Sequence, residues 1–240
     1  MQDSRCKIQV KTCNLQLATC NLTVIIPTLN EESCLKKTLE AVGRNVEVIV
    51  ADGGSCDSTV EIAKGFTDKI IMSEKGRGLQ MDRGAEEAAG DIFLFLHADT
   101  ILPEGWKDYV EGALKDDKVI GGGFRLKIDS KGFSFRMIEA VANMRAKYLG
   151  LIYGDQAIFV KKDAFLSAGG FKGLPLMEDV DLIRRLREVG RVILLDAEVS
   201  TSPRQWKKRG ALKTTLRNLF FLSLYYAGVS PERLQRLYYA

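Results

Sequence analysis

The chain has 240 residues, 46% of them hydrophobic and 28% charged, which is enough for one well-buried globular domain. Its net charge of +4 is too small to argue for nucleic acid as a partner. No stretch reaches the roughly 18 to 20 uninterrupted apolar residues that span a bilayer, and the start of the sequence lacks the apolar core of a signal peptide.

Cysteines stand at 6, 13, 20, 34 and 56, an odd number with no Cys-x-x-Cys spacing and no histidine nearby. The pattern argues against a disulfide framework, a zinc site and thiol catalysis, and predicts reduced thiols in a cytoplasmic protein. "TCNL" at 12–15 returns at 19–22, and residues 1–21 read as an appendage, either disordered or an extra β-segment.

"LTVIIPTLNEE" predicts a strand over 22–26, then Pro27, then a helix opening at an Asn30 N-cap, with Glu31 and Glu32 in its first turn and Leu35, Leu39 and Val42 inward. The unit repeats as a strand over 46–51, a polar Gly-rich loop, and a helix opened by a Ser58-x-x-Glu61 capping box. A short strand over 70–72 leads through the "GRG" loop to a helix whose Gly84, Ala85, Ala88 and Ala89 form a small-residue face. Five apolar residues, 92–96, then run into His97, the only histidine, and Asp99. A run so apolar reads as a strand covered on both faces of a parallel sheet, and the alternation of strands and helices implies βαβ units. Ligands bind such sheets beyond the carboxyl ends of the strands, so His97 and Asp99 either cap the strand or stand where chemistry is placed.

Beyond Asp99 the rhythm changes. "GGGFRLKID" alternates Phe124, Leu126 and Ile128 with Arg125 and Lys127, a half-exposed strand in mixed or antiparallel pairing. Then follow a helix over 133–148, "YGDQAIFV" as a strand, a helix capped by Glu178 or Asp179 and ending at Gly190, and a strand over 192–195. The tail is basic and then apolar. It suits the interface of an anionic bilayer, where it would serve a lipid-linked acceptor at the inner membrane face, or it packs on the core or on a second subunit.

Acids recur at loop positions: Asp52, Asp99 and the pair Glu178-Asp179. An acid near a diphosphate would hold Mg²⁺ or Mn²⁺, and another could act as a general base. Asp52 and Asp57 also read as turn and cap residues.

Together, "VIIPTLNEE", "VIVADGGSCDST", "GDIFLFLHADT" and "MEDVDLIRRLREVGR" resemble family 2 glycosyltransferases over about residues 22–205. The wording "HADT", "YGDQAIFV" and "PLMEDVDL" is similar to an arsenosugar-biosynthesis, or radical-SAM/selenodomain-associated, branch. The resemblance implies an α/β GT-A fold: a mixed, mostly parallel sheet flanked by helices, with a nucleotide-binding N-terminal half and an acceptor-binding C-terminal half. It implies a catalytic domain over 22–205 and a helical tail over 206–240. It further implies an inverting enzyme that moves a sugar from a nucleotide diphosphate, typically UDP, to a hydroxyl acceptor with the help of Mg²⁺ or Mn²⁺.

By the same resemblance Pro27, Thr28 and Glu31 meet the nucleotide, Asp52 and Gly53 lie at the base, and Arg77 approaches the diphosphate. His97, Ala98 and Asp99 match the Asp-x-Asp segment, with Asp99 on the metal. Asp179 matches the catalytic base with Glu178 beside it, Asp181 being the competing assignment. Gly154, Asp155 and Gln156 match the acceptor side, and Arg204 and Trp206 match an Arg-x-Trp element that folds over the site. His97 departs from the family's first acid. An imidazole can donate to a ribose hydroxyl or ligate a metal, but one negative charge is missing, which predicts weaker metal dependence. Two other readings remain open, a nucleotidyltransferase and an inactive nucleotide-sugar-binding protein. The first fits poorly because the opening loop is "PTLNEE" rather than Gly-rich and basic. The intact Glu178-Asp179 pair argues against the second.

Overall fold

The computed structural model describes residues 21–239, so the expected appendage lies outside the described residues apart from Asn21. The first half alternates as expected: β1 (Leu22–Thr28), α1 (Leu35–Val42), β2 (Glu47–Asp52), α2 (Thr59–Lys64), β3 (Ile70–Met72), α3 (Arg77–Glu86) and β4 (Ile92–Phe95). Next come β5 (Thr100–Ile101), α4 (Trp106–Leu114), β6 (Val119–Ile128), α5 (Phe133–Leu149), β7 (Ile158–Lys161), α6 (Lys162–Ser167), α7 (Glu178–Val189) and β8 (Arg191–Thr201). The tail folds as α8 (Arg204–Arg209), α9 (Ala211–Tyr226) and α10 (Pro231–Tyr239).

All eight strands form one mixed sheet in the order β3-β2-β1-β4-β7-β6-β8-β5. β1, β2, β3 and β4 run parallel, β7 is antiparallel to β4 and β6, and β6 runs parallel to β8. The apolar runs are continuous because the sheet is covered on both faces. Val24, Ile26 and Leu94 pack on one side with α1 and α4, while Ile25, Phe93 and Phe95 pack on the other with α3, α6 and α7. On that second side Phe95 meets Phe165 and Phe171 at centroid distances of 5.2 and 4.9 Å, a spacing at which aromatic pairs attract. β6 alternates as expected, with Phe124, Leu126 and Ile128 buried and Lys127 exposed.

Two helix starts, at Asn30 and at Glu178-Asp179, differ from the expectation because the polar side chains are bonded across a loop, and at Ser58 the start is as expected but the cap is not. Asn30 takes a left-handed φ of 55° and its Oδ1 accepts from the Cys56 N–H, so α1 begins only at Leu35, after a turn closed on the Glu31 carbonyl. Ser58 makes no side-chain cap; the Asp57 carboxylate accepts the Thr59 N–H instead, at 3.0 Å. At α7 the N-cap is Met177, with φ 66°, and Glu178 and Asp179 lie inside the first turn. "YGDQ" is likewise not strand: residues 154–156 make a single 3-10 turn, and Ala157, with φ 50°, redirects the chain into β7. The last strand runs to Thr201, well past the expected end, because it pairs with both β6 and β5.

Gly84 lets α3 lie against β1. A Cβ there would stand 2.5 Å from Ile25 Cγ2, and Ile25 is fully buried. Alanine would gain about 0.8–1 kcal/mol of helix propensity but overpack the core by about 1–3 kcal/mol. Gly84→Ala is therefore expected to lower the urea midpoint with an unchanged slope; a raised midpoint would show that α3 moves freely on the sheet.

Candidate active site

β1, β2 and β4 are parallel, so Thr28, Asp52 and the 97–99 segment lie along one edge of the sheet. A cavity of about 480 Å³ opens beside this edge. Pro27, Glu31, Arg77, His97, Ala98 and Asp99 line it from the first half; Asp155, Glu178 and Asp179 line it from the second. Arg204, Trp206, Arg217 and Tyr238 close it from the tail, so the expected return of Arg204 and Trp206 over the site is what the fold displays.

Thr28, Asp52, Gly53, Gly154 and Gln156 do not line this cavity but build its wall. Asp52 is fully buried: its Oδ1 accepts from Thr28 Oγ1 (2.9 Å) and Ser55 Oγ (2.6 Å), and its Oδ2 from the Gly54 and Ser55 N–H groups (2.9 and 2.7 Å). Burial opposes its charge, yet these bonds, those of Ser55 foremost, hold its carboxyl below the usual range. The turn that supplies them requires a left-handed residue, and Gly54 has φ 89°. Gln156 is buried: its Nε2 donates to the Phe124 carbonyl and its Oε1 accepts from the Tyr153 N–H, which fixes the 154–156 turn.

That turn holds Asp179. The Gly154 N–H donates to Asp179 Oδ2 at 2.7 Å, and the Val180 N–H donates to Oδ1 at 2.8 Å. A Cβ on Gly154 would meet His97 Nε2 at 2.5 Å, so glycine here lets the imidazole approach the turn. Burial, aided by the charge of Arg77, pushes His97 down to about 3, and the ring is neutral at ordinary pH. Asp181, the competing base, is bonded to Arg185 at 2.8 Å and accepts from Tyr225 Oη at 3.3 Å; it does not line the cavity.

Two arginines answer Glu178, Glu31 and Asp99. Arg77 Nε lies 3.0 Å from Glu178, which is 4% exposed, and Gly78 gives α7 room to approach α3 there. Burial raises the Glu178 carboxyl above its ordinary value, and Arg77 only partly offsets this. Arg204 Nη2 lies 2.5 Å from Glu31 Oε2 and 3.2 Å from Asp99 Oδ2, a single guanidinium bridging two carboxylates. Burial raises Glu31 as well, against the pull of Arg204. Burial works against the Arg204 charge, but the bonds to Glu31 and Asp99 outweigh it and push its pKa up.

Among the described residues no three His, Cys, Asp or Glu side chains group as a metal cage. Mg²⁺ seldom needs one, since it takes one or two carboxylates plus substrate phosphates, and Asp99 with Glu31 nearby fits that kind of site. Sequence reasoning missed Gln80, which is buried and whose Nε2 donates to the carbonyls of Thr28 and Ala51 at 2.7 Å each, holding the ends of β1 and β2. It also missed Tyr153, whose ring lies 3.3 Å from the Arg145 guanidinium and whose hydroxyl burial pushes up to about 12. The partners of both lie far off in sequence or on another element, which no local pattern reveals.

Comparison with known proteins places this geometry in context. The family model of glycosyl transferase family 2 matches residues 23–171. The chain is 29% identical over 140 residues to the glycosyltransferase AglE of Haloferax volcanii, covering 52% of this chain and 46% of that protein. It thus spans less than half the length of this curated relative. Among solved structures, Staphylococcus aureus TarS superimposes with a TM-score of 0.61 at 18% identity, over 89% of this chain and 68% of that one. Mycobacterium tuberculosis glucosyl-3-phosphoglycerate synthase, solved with Mg²⁺ and UDP, superimposes with a TM-score of 0.54 at 20% identity, over 77% of this chain and 70% of that one. Likeness at this identity shows the fold, and that fold is GT-A.

Asp155 yields a test of the site's electrostatics. Its Oδ1 is buried without a hydrogen bond, and burial pushes the carboxyl up to about 6 from an ordinary 3.8, against the pull of Arg145 and with the repulsion of Asp179. A raised carboxyl favours folding while protonated, so its contribution is full below 3.8 and is lost as pH rises through about 6. Asp155→Asn should therefore gain thermal stability relative to wild type between about pH 4 and about pH 7. A difference in melting temperature that is constant over that range would contradict the assignment.

Proposed function

The chain belongs to glycosyl transferase family 2, and on that premise we propose that it is an inverting transferase moving a sugar from a UDP-linked donor to a hydroxyl acceptor. The reading rests on one observation: Asp99, Glu31 and Arg77 line the same cavity as Asp179. The donor diphosphate lies at Arg77 and Arg204, whose positive charges match it, beside Asp99. A divalent cation, Mg²⁺ or Mn²⁺, held by Asp99 and the diphosphate would neutralise charge on the leaving group. Asp179, oriented by the Gly154 N–H, takes the acceptor hydroxyl proton. The acceptor oxygen then attacks the anomeric carbon from the side opposite the diphosphate, the bond to the diphosphate oxygen breaks with its electron pair, and the configuration inverts. Neutral His97, beside this turn, donates to or accepts from a donor hydroxyl and adds no charge to the metal site. Asp52, with its acceptor positions taken by Thr28, Gly54 and Ser55, acts at the base by shaping the loop.

Support for UDP and the cation comes from the glucosyl-3-phosphoglycerate synthase, a protein solved with both. The wording "HADT", "YGDQAIFV" and "PLMEDVDL" supports the arsenosugar-biosynthesis branch.

Calorimetric titration with UDP and GDP, with and without Mn²⁺, tests the donor site. One nucleotide should bind in a Mn²⁺-dependent manner, about tenfold or more weakly in Asp99→Asn. Asp179→Asn should keep that binding and lose on the order of 10²–10⁴ in transfer rate. Absence of nucleotide binding under every condition would overturn the reading. His97→Asp should increase the dependence on metal; an unchanged response would make His97 structural only.

A further inference from the structure

α5 has two faces of opposite surroundings. Phe135, Glu139, Ala142 and Ala146 are buried against the domain. The outward face carries Phe133, Met137, Val141, Met144 and Tyr148, which are 81, 54, 40, 55 and 73% exposed. Their spacing puts them on one stripe of the helix, where a soluble helix would carry polar residues. α9 packs against α5 and presents Leu216, Leu219, Phe220 and Tyr226 to solvent in the same manner. Exposed apolar side chains gathered on two adjoining helices mark a contact site.

Charge identifies what fits it. From Arg204 to the C-terminus there are eight Lys and Arg residues and one acid, Glu232, in a chain whose net charge is only +4. Lys207, Lys208 and Lys213, on α8 and α9, are exposed, as is Lys147 on α5. The single acid of α5, Glu139, is buried and paired with Arg136 at 2.9 Å. Two copies meeting through this surface would set like charges against each other. An anionic bilayer supplies both an apolar layer and opposite charge. Among the described residues no helix is long and apolar enough to cross a membrane, so the contact would lie in the interface.

We propose that the outward faces of α5 and α9 dock on an anionic lipid surface, with the apolar stripe entering the headgroup boundary and the lysines of α8 and α9 meeting lipid phosphates. Trp206, Arg217 and Tyr238, from α8, α9 and α10, line the cavity, so docking would set the cavity beside the bilayer. The inference goes beyond the transferase reading and stands without it, since its test reads no activity.

Co-sedimentation of the full chain with phosphatidylglycerol/phosphatidylcholine vesicles and with pure phosphatidylcholine vesicles tests it. Binding is expected only to the former, weakening as salt rises. The doubly substituted Met137→Glu/Met144→Glu and the doubly substituted Lys207→Glu/Lys208→Glu should each bind about tenfold or more weakly while keeping the wild-type melting temperature, because all four positions are exposed. No binding of the folded wild type, or equal binding by the folded variants, would overturn the proposal. So would a wild-type dimer in light scattering that Met137→Glu/Met144→Glu converts to a monomer, since a second copy would then cover the face.

Discussion

Five carboxyl groups, those of Glu31, Asp99, Asp155, Glu178 and Asp179, share one cavity of about 480 Å³. Like charges gathered in one cavity repel one another, and the structure answers them with donors. Arg204 bridges Glu31 and Asp99, Arg77 pairs with Glu178, and two backbone N–H groups hold Asp179. Asp155 has no donor at Oδ1 and takes the other course, a raised affinity for its proton. On the proposed reading the same arginines would hold the donor diphosphate, whose charge can replace that of the carboxylates at the guanidinium groups.

The fold supplies these donors from distant parts of the chain. Parallel β1, β2 and β4 bring three strand ends to one edge, α3 brings Arg77, the 154–156 turn brings the Gly154 N–H, and the tail brings Arg204. Glycines set the close approaches: Gly84 lets α3 touch β1, Gly78 admits Glu178, and Gly154 admits His97. Leu176, just before α7, packs with Phe221 and Leu234 of the tail. Helices α8, α9 and α10 thus contribute to the wall of the site.

Much of the first half was legible because strand burial and helix periodicity repeat within short windows, as Ile92–Phe95 and the stripe Leu35, Leu39 and Val42 illustrate. Helix starts were misread at Asn30 and Glu178-Asp179 for one reason. A polar residue at a helix start can cap locally or bond across a loop, and sequence spacing does not distinguish the two. Asp99 and the pair Glu178-Asp179 stood out by their loop positions and took their roles from the family resemblance, but their pairing was not legible. Arg204 lies 173 positions from Glu31, and Gln80 lies 52 from Thr28. His97, the departure from the family wording, acquires a physical account only from the structure: a neutral ring against a glycine turn, beside the Gly154 N–H that holds Asp179.

The most direct test of this account is the structure of the chain bound to UDP and Mn²⁺. The account predicts the diphosphate between Asp99 and Arg77, with Arg204 moved from Asp99 onto a phosphate oxygen. UDP bound elsewhere, with Arg204 still bridging Glu31 and Asp99, would contradict it.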